Sequence, residues 1–443
     1  MFNFNYKTLD DVKADLTRLG LDLPLSEDTS VLAKGFDVKG DKLHFRNSVA
    51  IHPMEGFDSA PDGGPSELTE RRYMRFADSD AGLYWFEAVA ISDESRSNNR
   101  QLWINDENVD SFKRLVEKLH EKTGGAPVIC QLTHSGRFSR PENKPAPIIA
   151  YHNPVLNKPF NIPAEHKVVT DEYLDSLVPQ YVKAAKLAKE AGFDGVDIKA
   201  CHRYLMSELL SAYTREGRYG GSYENRTRLY RGVIAAVKAV AGDMAVATRL
   251  GVHDGIGYPY GFGDDKDDLT KFDPTEAIRL IGDIHALGVN LINVTMGTPY
   301  YNPHVNRPYC KGGYEPPEHP LVGVARMING AAILQRDFPD VTFIGTGYTF
   351  LRQFAPYLAA GAVGAGMISA AGFGRMAFAY DGFAKDLINA GMKPDKCCVT
   401  CGKCTELMRA FKTTGCPVRD GKVYAPIYKS AIAGCDPALG RQG

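Results

Sequence analysis

The sequence predicts an α/β protein built as a TIM (β/α)8 barrel, with an N-terminal hairpin cap and a C-terminal Cys-rich extension. Three observations predict it. Short apolar segments rich in branched side chains alternate eight times with helix-period segments. The chain has 443 residues, of which 44% are hydrophobic and 24% charged, enough for a barrel of about 250 residues with insertions. Glycine pairs follow the last two strand candidates, where barrels hold phosphate groups.

The elements run in order. Residues 36–47, turning at 39–42, read as a hairpin that plugs the barrel bottom. Strands are expected at 48–53, 83–90, 127–132, 195–199, 245–250, 290–295, 342–345 and 363–368, each short and apolar, as strands covered on both faces must be. Helices are expected at 68–78, 109–122, 171–191, 226–241, 274–287, 321–338 and 349–360. This divides the chain into an N-terminal extension (1–34), the barrel (35–392) and a Cys-rich segment (393–443). Two long loops, 137–169 and 297–320, exceed what connection alone requires. The second carries Tyr300, Tyr301, His304, Arg307 and Tyr309.

Composition narrows the partners. A formal net charge of −1 supplies no field for nucleic acid and no polybasic face for a membrane, so a small molecule is the expected partner. No apolar run approaches the roughly 20 residues of a membrane span, and acidic residues interrupt the first sixteen positions where a signal peptide would be apolar. A cytoplasmic homo-oligomer is expected.

Chemistry concentrates after the fourth strand candidate. Lys199, His202 and Tyr204 fall at its carboxyl end, the working face of a barrel enzyme. Lys199 and His202 can donate to one oxygen while the Tyr204 phenol protonates a nearby carbon, which suits an α,β-unsaturated carbonyl. Each also has a plainer reading, as an ion-pair partner, a satisfied core imidazole and a packing ring. Gly345-Thr346-Gly347 and Gly372-Phe373-Gly374-Arg375 combine exposed amides, a helix start and a cation into an anion site. Cys397, Cys398, Cys401, Cys404 and Cys416 fall within twenty positions. Such a cluster suggests a metal or redox centre more than disulfides, with zinc or free thiols as alternatives.

Several motifs in order carry a family resemblance. They are Pro53-Met54, Ala81-Gly-Leu with Glu87-Ala88, Gln131-Leu-Thr-His134-Ser-Gly136-Arg137, and Tyr219-Gly-Gly-Ser222 with Glu224-Asn-Arg226. Over roughly residues 35–416 the chain resembles the old yellow enzyme family of FMN-dependent ene-reductases, most of all the barrel portion of its 2,4-dienoyl-CoA reductase branch. The resemblance implies that Pro53, Met54, Glu55 and Ala88 lie along FMN, that Gln131 bonds its pyrimidine edge, and that Arg249 sits by N1 and the C2 carbonyl. Gly345, Thr346, Gly347, Gly374 and Arg375 would hold the phosphate. Hydride would pass from flavin N5 to the β-carbon of an unsaturated substrate held by Lys199 and His202, and Tyr204 would protonate the α-carbon. Relatives of this branch carry a [4Fe-4S] cluster on four cysteines, here Cys398, Cys401, Cys404 and Cys416, although the spacing departs from the family's.

Two departures bear on chemistry. Lys199 stands where the family has His, and a compact ammonium holds an oxygen strongly but with less direction. Glu55 stands where Thr or Cys is usual, and would either face the flavin or turn to Arg71 or Arg72. No G-x-G-x-x-G follows a strand, so NAD(P)H bound over the flavin, or an electron-donor protein acting through the cluster, must reduce it. The alternatives are an oxidative demethylase or amine dehydrogenase of the same superfamily, and a non-redox barrel acting on a phosphorylated ligand.

Overall fold

A computed structural model describes residues 2–433, and Cys435 lies outside them. Ten strands form. β1 (Phe36–Asp37) and β2 (His44–Phe45) pair antiparallel as the expected hairpin. The other eight are β3 (Val49–Ile51), β4 (Leu83–Ala90), β5 (Val128–Thr133), β6 (Gly195–Ile198), β7 (Ala245–His253), β8 (Leu291–Met296), β9 (Thr342–Gly345) and β10 (Ala370–Phe373). They close in sequential order, with β10 pairing parallel to both β9 and β3. The chain is therefore a TIM barrel.

Every residue of the eight barrel strands is buried, because helices cover the outside and side chains fill the inside. At the bottom, Val38, Leu43 and Phe45 of the hairpin pack with Leu83, Trp85, Ile129, Ala247, Leu291 and Ile344. The hairpin closes that end, which leaves the carboxyl ends of the strands as the open face. Outside, a second core runs from Tyr6 and Val12 near the amino terminus to Cys397 and Cys398. An unexpected helix, Leu9–Arg18, joins it through Val12 and Leu16, with Thr8 and Asp11 forming its capping box.

The expected eighth strand was misplaced. Residues 363–368 close the helix Ala355–Gly364 and turn through Gly366 at φ +67°, and the strand is Ala370–Phe373. Its small residues hid it. A Cβ on Gly372 would stand 2.1 Å from His52 Cε1, so branched side chains, the usual strand signal, do not fit there. Residues 349–360 are likewise not one helix: a 3-10 turn, Tyr348–Phe354, leads into Ala355–Gly364.

Candidate active site

A cavity of about 890 Å³, partly open to solvent, occupies the carboxyl face of the barrel. β3 and its loop supply His52, Pro53, Met54 and Glu55; β5 supplies Gln131; and β7 supplies Arg249. Lys199, His202 and Tyr204 follow β6, Tyr300, Asn306 and Arg307 follow β8, Thr346 and Gly347 follow β9, and Gly374 and Arg375 follow β10. Two residues expected here lie outside the lining. Ala88 is registered against Gln131 within the sheet, and its carbonyl accepts from Gln101 Nε2 at 3.2 Å. Gly345 ends β9, where a Cβ would meet Tyr348 Oη at 2.8 Å.

The floor is a network with fixed donors and acceptors. Buried Asp197 accepts from Gln131 Nε2 at 2.6 Å, Trp85 Nε1 at 2.8 Å and the Arg249 amide at 2.7 Å. Gln131 thus spends one of its two amide hydrogens on a carboxylate and keeps its carbonyl oxygen for a donor. Beside it, His52 accepts from Asn293 Nδ2 at 3.0 Å and donates from Nε2 to Thr346 Oγ1 at 3.0 Å, since that hydroxyl's hydrogen goes to the Val294 carbonyl. Burial, reinforced by Arg249, holds this imidazole neutral. His52 was not anticipated, and its position just before Pro53 was the only sequence signal.

The walls are cationic. Arg249, Arg307 and Arg375 have no carboxylate partner among the described residues, in contrast to Arg71, Arg72 and Arg203 elsewhere. Arg249 Nε is buried without a hydrogen-bond partner. Burial and nearby Arg375 bring Arg307 down to about 10. A buried cation without a partner is costly, so the cavity is built for an anion.

Lys199, His202 and Tyr204 converge at this cavity. His202 and Arg203 both adopt left-handed φ, +64° and +61°, a strained pair for residues with side chains. The buried Arg203 guanidinium anchors the strain through Asp254 at 2.7 Å, Ser211 Oγ at 2.6 Å and Tyr151 Oη at 2.9 Å. Asn306 Nδ2 donates to His202 Nε2 at 3.2 Å, which leaves Nδ1 as the ring's donor, and burial keeps that ring neutral. Lys199 Nζ stands 3.9 Å from the Tyr204 ring centroid and 3.6 Å from Glu55 Oε1. The Tyr204 hydroxyl meets Tyr300 Oη at 2.8 Å and Glu55 Oε1 at 3.4 Å. Burial and then the Glu55 charge push the phenol well above its ordinary range, so it holds its proton.

Glu55 accordingly corrects one expectation. It turns neither to Arg71, which pairs with Asp420, nor to Arg72, which pairs with Asp58 and Glu87. Instead it joins Lys199 and Tyr204, with Ser97 Oγ donating to Oε2 at 3.4 Å.

The cysteines ring a second cavity. Cys398, Cys401, Cys404 and Cys416 line it together with Arg375, which also lines the first. The Thr400 amide donates to Cys398 Sγ at 3.4 Å and the Arg419 amide to Cys416 Sγ at 3.3 Å. Burial pushes the Cys398 thiol up to about 12, where it stays protonated unless a cation displaces the proton. Among the described residues, no group of three or more His, Cys, Asp or Glu side chains is placed to hold a metal ion. No helix among them is long and apolar enough to cross a membrane.

Comparisons with known proteins show a family and a fold. The model of the NADH:flavin oxidoreductase / NADH oxidase family matches residues 34–292. The NADPH dehydrogenase of Bacillus velezensis is 33% identical over 199 residues, covering 44% of this chain and 56% of that protein. The chain thus spans little more than half the length of that relative. The NADPH dehydrogenase of Listeria welshimeri is 32% identical over 257 residues, 57% of this chain and 70% of that one. Among solved structures, a 2-naphthoyl-CoA reductase complexed with 2-naphthoyl-CoA has a TM-score of 0.70 at 18% identity, over 93% of this chain and 58% of that one. An old yellow enzyme homologue from Zymomonas mobilis gives 0.62 at 21%, over 82% and 94%. None of these matches singles out the 2,4-dienoyl-CoA reductase branch.

Proposed function

The chain belongs to the NADH:flavin oxidoreductase / NADH oxidase family, the old yellow enzymes, and on that premise we propose that it is an FMN-dependent ene-reductase acting on α,β-unsaturated carbonyl compounds. One observation carries the reading. A phenol and two donors suited to a single oxygen share a cavity with three arginines that lack carboxylate partners.

The residues fit FMN. Unpartnered Arg249 Nε and the free Gln131 carbonyl complement a ring with acceptor and donor edges. Gly347 at φ +115° and Gly374, where a Cβ would stand 2.7 Å from Met54 Sδ, leave room beside Arg375 for a phosphate. Bound there, FMN would supply hydride chemistry, with NADPH, the substrate named for the dehydrogenase relatives, as its reductant.

The chain's own residues would do the rest. Lys199 and the Nδ1 hydrogen of His202 hold the substrate carbonyl oxygen and stabilise the charge that gathers on it. Tyr204, kept protonated by its surroundings, delivers its proton to the α-carbon. Arg249 would offer its positive charge to the bound ring.

For the cysteine cavity we propose an iron–sulfur cluster rather than zinc. Four thiols around one space, two of them accepting backbone amide hydrogens, support a cluster larger than a single ion. Iron and acid-labile sulfide in anaerobically purified protein test this, and zinc or no metal would overturn it.

The test of the reductase reading is Tyr204→Phe. Reduction of 2-cyclohexenone should fall by about 100-fold or more, while flavin reduction by NADPH stays within about twofold. An unchanged enone rate would remove Tyr204 from the mechanism.

A further inference from the structure

Tyr204 has one hydrogen and two neighbours able to engage it. Glu55 Oε1 accepts from its hydroxyl at 3.4 Å, and Tyr300 Oη lies 2.8 Å away. A hydrogen drawn to a Glu55 carboxylate is not aimed at a substrate carbon. If Glu55 is protonated the direction reverses: the carboxylic acid donates to Tyr204 Oη, and the phenol hydrogen is free to face the cavity.

The surroundings set up that exchange. The Glu55 side chain is 12% exposed, so it reaches the cavity without being open to bulk water. Lys199 and Cys201, both just after β6, act on it electrostatically, and Tyr204 and Tyr300 face it from two loops. Ser97 contributes a non-titrating hydroxyl, and Arg307 and Arg409 act on Tyr300. Burial raises the carboxyl above its ordinary range, and Lys199 opposes the rise. Tyr300 is held in place by stacking on Phe138 at 3.9 Å.

Resting on the ene-reductase reading, we propose that Glu55 is a relay residue that reprotonates Tyr204 during turnover. The Tyr204 O–H bond breaks as the α-carbon gains its C–H bond. The Glu55 O–H bond breaks as the Tyr204 O–H bond re-forms. The resulting carboxylate is held by Lys199 until water at the cavity mouth returns a proton. No electrons move in these steps, and the hydride comes from the reduced flavin.

The experiment uses the FMN-loaded enzyme reduced with NADPH, reoxidised anaerobically by 2-cyclohexenone between about pH 5 and 9. Glu55→Gln should slow reoxidation by about tenfold and flatten its pH profile, while Glu55→Asp should retain the pH dependence. A second readout is independent of turnover. The tyrosine ionisation that disappears in Tyr204→Phe should move to lower pH in Glu55→Gln, because a nearby negative charge has gone. An active wild type whose Glu55→Gln variant keeps both its pH profile and its tyrosine ionisation overturns the relay. A wild type that cannot pass electrons to the enone overturns the reductase reading itself, and the relay with it. If Glu55→Gln fails to fold, Glu55→Asp decides: the relay requires a slowed, still pH-dependent rate, and an unchanged rate at every pH overturns it.

Discussion

Replacing Lys199 by Met removes one half of a buried ion pair. The ammonium lies 3.6 Å from Glu55 Oε1, with side-chain exposures of 3% and 12%. At an effective dielectric of about 20 that separation corresponds to roughly 4.6 kcal/mol of attraction, and at the water limit to about 1.2 kcal/mol. Deleting one partner of a buried pair costs about 3–5 kcal/mol, so we expect about 3 kcal/mol when Glu55 is ionised. The loss depends on pH. Burial already lifts Glu55 in the folded protein, and removing Lys199 lifts it further. A carboxyl raised on folding contributes most below its unfolded value of about 4.3, and the contribution fades as pH climbs through the folded value. The variant should therefore lose up to about 3 kcal/mol at pH 8 and less than that at pH 5. At about 2.1 cal/mol/K per residue, a 443-residue chain shifts by up to about 3 °C at pH 8 and by less at pH 5. Thermal unfolding of both proteins at both pH values is the assay. Equal shifts at pH 5 and pH 8 would refute the ion-pair reasoning and leave lost packing over the Tyr204 ring as the cause.

Two further outcomes follow from the floor and walls. Arg249→Met deletes a buried guanidinium with a free Nε, and a charged hydrogen bond of about 1.5–3 kcal/mol implies FMN affinity weakened by about 10–100-fold in a fluorescence titration. Undiminished affinity would place the isoalloxazine elsewhere. Asp197 is raised to about 6 by burial, so the protein should lose about 3 kcal/mol of stability as pH rises from about 4 to past 6. Asp197→Asn should flatten that slope in denaturant unfolding, and an unaltered slope would mean that Asp197 does not carry it.

Much of the barrel was legible because its strands are buried on both faces and therefore read as plain apolar runs. Leu83–Ala90 and Thr342–Gly345 formed at their expected bounds. The eighth strand was hidden because His52 takes the space a side chain on Gly372 would need, a constraint arising from residues 320 positions apart. In the site, local motifs brought Gln131, Arg249, Lys199, His202 and Tyr204 to one cavity. Partner choice was illegible. Glu55 could reach Arg71 or Arg72 as far as sequence says, but Asp420, Asp58 and Glu87 already engage those arginines, which leaves Lys199. Asn306 enters from a long loop whose path depends on tertiary packing, so only the loop's length and polarity announced it.

FMN held in this cavity should pass its hydride to a conjugated alkene. Anaerobic addition of 2-cyclohexenone to the NADPH-reduced protein, followed by visible absorbance and product analysis, tests it most directly. The oxidised flavin spectrum should return, with stoichiometric cyclohexanone. A colourless protein that releases no FMN on denaturation, or a flavin that stays reduced in excess enone, would contradict it.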